Sequence, residues 1–546
     1  MTTTIENPVL PGFHPDPSIL RVGEDYFIAT STFEWWPGVR IHTSRDLVNW
    51  RHAAYALTRT SQLDLRGDPD SCGVWAPCLT YRDGVLYLVY SNVRSCLGAF
   101  KDVDNYVVTA TSITGPWSEP VYLNSVGFDQ SFFHDEDGRT YLAGMKWDHR
   151  PGRNPFGGIF LQEYSRDERR LVGSARLIFG GSSLGATEGP HIYKRGGWYY
   201  LLIAEGGTFY QHAVSIARSR SLTGPYELSP HHPLLTSDAK PRDLLQKSGH
   251  GSLVETPAGE WYLAHLCGRP LEWHGADREA AGVYDTLNCP LGRETAIQRV
   301  EWTDDGWPRI AGGGNAPAWS VPGPQVQPPA PEPKREPETD TFDGPELSPH
   351  FNSLRVPVDS TWLSLADRPG FLRLYGRESM SSLHYQSLVA RRLQAFRAEA
   401  ETAVEFSPTS FQQMAGLIAY YNTLNYAYLR VTHDDAAGRV LGVAVCDSGL
   451  YREDPEWASL GAATRVWLRV KFDLDRFRFW YALAPDDWRP IGGELPMALL
   501  SDEHATDFKH DFVAKSVGFT GAFVGLACQD LSGARLHADF DSFSYR

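Results

Sequence analysis

One unit recurs five times in the first half of the chain: a polar or charged residue, then Pro or Ser, an apolar pair, a short charged or Gly turn, and an aromatic-rich run. The copies are Asp16-Pro-Ser-Ile to Glu24-Asp-Tyr-Phe-Ile-Ala, Trp75-Ala-Pro-Cys-Leu to Gly84-Val-Leu-Tyr-Leu-Val-Tyr, and Asp129-Gln-Ser-Phe-Phe to Gly138-Arg-Thr-Tyr-Leu-Ala. Glu188-Gly-Pro-His-Ile to Gly197-Trp-Tyr-Tyr-Leu-Leu and His250-Gly-Ser-Leu-Val to Gly259-Glu-Trp-Tyr-Leu-Ala complete the set. Each reads as a β-hairpin. The lead positions 16, 75, 129, 188 and 250 are separated by 59, 54, 59 and 62 residues. That period suits one four-stranded sheet per repeat better than a helical repeat, and five such sheets predict a five-bladed β-propeller. Thr43-Ser-Arg-Asp-Leu-Val-Asn-Trp, Thr111-Ser-Ile-Thr-Gly-Pro-Trp and Arg220-Ser-Leu-Thr-Gly-Pro-Tyr echo the period on the outer part of repeats one, two and four.

In a propeller the innermost strand of each blade faces a central channel. Asp16, Trp75, Asp129, Glu188 and His250 are therefore expected to meet in one pocket. Several carboxylates buried together cost free energy unless a function or a cation requires them. Asp16 lies in Asn7-Pro-Val-Leu-Pro-Gly-Phe-His-Pro-Asp-Pro-Ser-Ile, between two prolines that fix their own φ and restrict their neighbours. Its carboxylate is thus expected to be held still.

From about Gly312 the texture changes to a Pro-rich run in which neither ladder nor helix can propagate. Period-2 alternation returns in Leu372-Arg-Leu-Tyr, Ala427-Tyr-Leu-Arg-Val-Thr and Val466-Trp-Leu-Arg-Val-Lys-Phe-Asp, without the repeat. The expected organisation is all-β: a propeller over 1–315, a linker over 316–338 and a jelly-roll β-sandwich over 339–546. A mixture of 26 Phe, 25 Tyr and 17 Trp with 50 Gly and 37 Pro suits many short strands and tight turns.

The net charge of −15 argues against a nucleic-acid partner and against a basic membrane patch. Seven cysteines without a CxxC pair indicate neither a zinc ribbon nor a disulfide framework, and fit a reducing compartment. The first residues lack a basic start and apolar run, and no apolar stretch approaches the ~18 residues of a membrane span. A cytoplasmic location is expected.

Cleavage of a glycosidic bond needs one carboxylic acid to protonate the leaving oxygen and one carboxylate to activate water or to attack. Asp16 and Glu188 come from non-adjacent blades, which favours room for a water and hence inversion. Asp129, beside the fourth blade, is expected to raise the pKa of Glu188 and keep it protonated. The division of labour is base, tuner and acid.

At this point the chain resembles a known family. Asn7-Pro-Val-Leu-Pro-Gly-Phe-His-Pro-Asp-Pro-Ser-Ile, Ser31-Thr-Phe-Glu-Trp, Gly73-Val-Trp-Ala-Pro, Gly127-Phe-Asp-Gln-Ser, Thr187-Glu-Gly-Pro-His, Gly249-His-Gly-Ser and Leu291-Gly-Arg-Glu-Thr resemble the β-xylosidases of glycoside hydrolase family 43, nearly end to end. The resemblance implies a five-bladed propeller followed by a β-sandwich, inversion, and Asp16, Asp129 and Glu188 as base, pKa modulator and acid. It also implies a shallow, closed xylose pocket. Arg293 would hydrogen-bond sugar hydroxyls, Trp75 and Phe33 would supply apolar walls, and Phe519 of the second domain, or Phe523 close by, would complete the pocket. His250 could bond Asp129 or another acid, ligate a cation through water, or fill the channel. Some relatives hold a divalent cation, often calcium, near this histidine. No EF-hand loop or carboxylate cage is legible here, so no cofactor or metal is required.

The expected activity is an exo-acting β-1,4-xylosidase that removes xylose from the non-reducing ends of xylooligosaccharides. An α-L-arabinofuranosidase or an enzyme with both activities is the nearest alternative, and a non-catalytic sugar-binding propeller is the alternative from another class. Relatives are often dimers or tetramers, so a homo-oligomer is expected.

Overall fold

The computed structural model describes residues 3–240, 243–271, 287–325, 336–510 and 513–546. Ten residues of the expected linker, 326–335, lie outside the described residues. The chain is all-β, and among the described residues the only helical turn is the 3-10 segment Met497–Leu500.

The five repeats form five antiparallel sheets whose strands follow chain order from the axis outward. The innermost strands are Ser18–Val22, Gly73–Arg82, Ser131–His134, Glu188–Arg195 and Gln246–Glu255. Their apolar faces meet between neighbouring blades. Ile41, Leu79, Leu88 and Val108 pack blades one and two, and Val89, Phe132 and Leu142 pack two and three. Leu202, Ile216, Leu263 and Trp307 join four and five. Strands buried on both faces suit the apolar and aromatic runs of the repeats.

The ring is clasped by the N-terminal stretch. Thr4–Glu6 pairs with Ser320–Pro322 after blade five. Leu10 and Thr295 exchange backbone hydrogen bonds of 3.2 and 3.3 Å. The Asn7 side chain bonds Ile297 on both its N–H and its carbonyl, and Ile5, Leu10 and Ile19 pack against Tyr262 and Ile297.

The second domain is a sandwich of two eight-stranded sheets. One of them runs into the propeller: Trp35–Trp36, from blade one, pairs with Asn352–Leu354 as its edge strand. Trp35 is fully buried and stacks on Phe523 of the sandwich at 3.7 Å between ring centroids. Buried ions cross the same boundary. Lys247 meets Asp502 at 3.2 Å and Glu503 at 2.6 Å, and Arg355 meets Asp70 at 2.8 Å. Gly292 is required where the two domains touch, because a Cβ there would lie 1.8 Å from the Thr520 carbonyl oxygen and its φ is +72°.

Trp35→Ala removes the ring that seals this boundary. A loss of about 3–5 kcal/mol is expected, read as a lowered midpoint of denaturant unfolding. A midpoint unchanged from the parent would show that the interface does not contribute to stability.

Candidate active site

The site lies at the end of the channel that faces the sandwich, where left-handed backbone turns the first residue of each blade toward the axis. Asp16, Asp129 and His250 have φ of 54°, 58° and 47°, a region that non-glycine residues rarely occupy. In blades two and four the left-handed residue is Ala76 (φ 32°) and Gly189 (φ 56°). The structurally equivalent positions are therefore 16, 76, 129, 189 and 250, and Trp75 and Glu188 each stand one residue before the position expected for them. Register shifts mark this point of the innermost strand in blades two, four and five alike, between Trp75 and Cys78, Glu188 and His191, and Gly249 and Gly251. Small residues occupy the axial position in blades two and four. A Cβ at Gly189 would come within 3.0 Å of the His250 ring.

All eight residues singled out from the sequence line one cavity of about 390 Å³: Asp16, Phe33, Trp75, Asp129, Glu188, His250, Arg293 and Phe519. Phe519 leans on Phe33 and Trp75, with ring centroids 6.3 and 5.9 Å away, and the three form one aromatic wall. Phe523 is buried under Trp35 instead and does not reach the cavity.

Asp16 accepts a hydrogen bond of 2.7 Å from the Ser31 hydroxyl and one of 2.9 Å from Arg293 Nη1. Burial alone would raise its pKa, but Arg293, His250 and Ser31 together hold it below the usual carboxylate value. Glu188 has the opposite fate. Burial and the charge of Asp16 raise it to about 8, against weaker lowering by Arg293 and Lys101. Asp129 is pushed well above its usual value by burial, by Glu188 and by Asp16. Asp129 and Glu188 are a coupled buried pair, and the consequence is that the pair retains a proton at neutrality while Asp16 stays ionised. Asp16 raises both members of the pair.

Arg293 does more than face the pocket. Its Nη1 donates to Asp16 and, at 3.1 Å, to Thr208 Oγ1. Its Nη2 and Nε donate to the Phe519 carbonyl at 3.1 and 3.4 Å. Most of its donors are committed to protein partners, so direct binding of sugar hydroxyls, expected from the resemblance, falls to its remaining N–H. From the other side, Ser71 Oγ donates to the Val517 carbonyl at 2.8 Å and accepts from Phe519 N at 3.1 Å.

His250 lies among Asp16, His212, Arg293 and Gly189. Asp16, the carboxylate whose charge acts on it, is already paired with Arg293. No group of three or more His, Cys, Asp or Glu residues suited to a metal occurs among the described residues.

Sequence reasoning missed Lys101, Trp147, Thr208, Phe209 and His212, which also line the cavity. Most stand on strand ends and loops outside the repeated unit, so the period carried no signal for them. A fit with Gly249 does mark His212: a Cβ on that glycine would lie 2.0 Å from the imidazole ring. Lys101 stacks over the Trp147 ring at 4.3 Å and donates to the Cys96 carbonyl at 2.8 Å.

Lys101→Met removes a cation that lowers the pKa of Glu188. Its carboxyl is expected to keep its proton to higher pH, measured as the pH dependence of the protonated-carboxyl infrared band that disappears in Glu188→Gln. An unshifted titration would show that Lys101 does not reach Glu188 electrostatically.

Residues 5–308 match the family described as glycosyl hydrolases family 43, and residues 339–546 match the beta xylosidase C-terminal concanavalin A-like domain. The chain is similar to a beta-xylosidase of Bacillus subtilis (strain 168), 48% identical over 548 residues and covering 99% of each chain. It is also similar to a xylan 1,3-beta-xylosidase of a Vibrio species, 47% identical over 546 residues and covering 100% of this chain and 99% of the relative. Among solved structures it is similar to xylan beta-1,4-xylosidase from Bacillus halodurans C-125, with a TM-score of 0.94, 52% identity and coverage of 99% of this chain and 100% of that one. The propeller, the sandwich and these full-length likenesses agree, and the chain belongs to glycosyl hydrolase family 43.

Proposed function

We propose that the protein is an exo-acting β-1,4-xylosidase that releases xylose from the non-reducing ends of xylooligosaccharides with inversion. The observation that carries the reading is the split among three neighbouring carboxylates: Asp16 held ionised by Arg293, and a proton retained on the Asp129–Glu188 pair. A purely binding pocket has no use for such a split. The aromatic wall of Phe33, Trp75 and Phe519 supports a blocked pocket that takes a chain end rather than a groove that takes its middle.

In the reaction, Asp16 takes a proton from a water as that water attacks the anomeric carbon. Glu188 gives its proton to the departing glycosidic oxygen, and the sugar leaves with inverted configuration. Asp129, buried beside Glu188, shares a proton with it and so keeps a proton available to the acid at neutrality. Ser31 and Arg293 hold Asp16 at one aim, which is where orientation lowers the barrier. A cytoplasmic homo-oligomer requiring no cofactor completes the proposal. Seven buried free cysteines support the location. Leu450 and Trp457, 76% and 53% exposed on the edge strand Leu450–Ser459, support association.

Proton NMR of xylobiose hydrolysis is expected to show α-xylose as the anomer first released, and β-xylose would refute inversion. Asp16→Asn and Glu188→Gln should each lose about 10²–10⁴-fold in kcat; a fully active Asp16→Asn would refute its role as base. Faster release of arabinose from an aryl arabinofuranoside than of xylose from the xyloside would favour the arabinofuranosidase, and sugar binding without turnover would favour a lectin. The pH profile follows from the two shifts. Activity requires Glu188 protonated, so kcat/KM should fall as pH rises through about 8, whereas loss on the acid side should begin only below the ordinary carboxylate range, where Asp16 protonates.

A further inference from the structure

Two of the seven cysteines touch. Cys72 Sγ donates a hydrogen bond to Cys96 Sγ at 3.3 Å, and both side chains are buried. Cys96 nevertheless lines the cavity that holds the three carboxylates and keeps 5% of its surface exposed, so a molecule small enough to enter the cavity meets this residue. Cys72 lies behind, with no exposed surface. We propose that Cys96 and Cys72 form a peroxide-sensitive dithiol in the wall of the active site, with Cys96 as the attacked sulfur and Cys72 as the resolving one.

The chemistry balances with hydrogen peroxide as oxidant. Cys96 thiolate attacks one peroxide oxygen, the O–O bond breaks, and hydroxide leaves, to become water on taking up the thiol proton. The resulting sulfenic acid is then attacked by the Cys72 sulfur, the S–S bond forms, and a second water departs. Two thiols are oxidised by two electrons and one peroxide is reduced. The Cys72 donor and the nearby Lys101 ammonium both favour the thiolate on Cys96, while burial and its neighbour favour the thiol on Cys72.

Closing 3.3 Å to the ~2.05 Å of a disulfide pulls on both sides of the pocket. Cys72 follows Ser71, whose carbonyl accepts from Trp75 Nε1 at 3.0 Å and whose hydroxyl anchors Phe519. Cys96 carries the carbonyl that holds Lys101, and Ala99, three residues on, accepts from Trp147 Nε1 at 2.8 Å. Four cavity-lining side chains thus depend on the two segments that the bond would draw together.

The bond itself does not depend on which sugar the pocket takes; its effect on turnover does. The full-length enzyme is treated with millimolar hydrogen peroxide, its remaining thiols are alkylated, and it is mapped by mass spectrometry without reduction. A Cys72–Cys96 cross-linked peptide is expected, together with a loss of kcat/KM on the order of 10- to 100-fold that a dithiol reductant reverses. Cys72→Ser and Cys72→Ala should give no cross-link and leave Cys96 as a sulfenic acid that dimedone traps, whereas Cys96→Ala should give neither the cross-link nor the reversible loss. Absence of the cross-link in the parent overturns the proposal whether or not the variants fold. A cross-link with unchanged kcat/KM overturns the coupling to the pocket, and equal reversible loss in Cys96→Ala assigns the effect to another thiol and overturns the proposal.

Discussion

One guanidinium holds the site together. Arg293 extends from the third strand of blade five, keeps Asp16 ionised through a 2.9 Å ion pair, and binds the carbonyl of Phe519 in the other domain. It has only 6% side-chain exposure, where an unpaired charge would be expensive and a paired one orients its partners. The same contact therefore sets a protonation state and places an aromatic wall. Removing it would disturb both at once, so its effect on catalysis cannot be divided between charge and shape by a single substitution.

The electrostatics of the pocket follow from this contact. With Asp16 anionic and neighbouring carboxyls buried beside it, the cheapest arrangement leaves a proton on Asp129 and Glu188. Burial disfavours every charge in the cavity, and only the acid next to Arg293 escapes that pressure. Three residues of the same chemical type thus acquire different states from their surroundings alone.

The sandwich is part of the site and not an appendage. It receives a two-residue strand from blade one and stacks Phe523 on Trp35. It also places Asp502 and Glu503 against Lys247 of blade five, where Tyr210 and Tyr421 complete the hydrogen bonding of the two acids. The Phe519 loop of the same domain is tied to the propeller by Arg293 and Ser71. The propeller alone would leave the cavity open on that side.

The five-fold period, the carboxylates at its lead positions and the proline-held Asp16 were legible in the sequence because each blade repeats the same hairpin with the same in–out alternation. That determined the all-β architecture and which acids share the axis. The tertiary structure decided the one-residue offset at Trp75 and Glu188, because the pattern of apolar residues does not record which residue takes the left-handed turn. It also decided between Phe519 and Phe523, two aromatics of similar local context whose difference lies in what each meets across the domain boundary. Lys101, His212 and the Cys72–Cys96 contact were decided there too, since loops and strand ends far apart in the chain bring them together and no local spacing records the meeting.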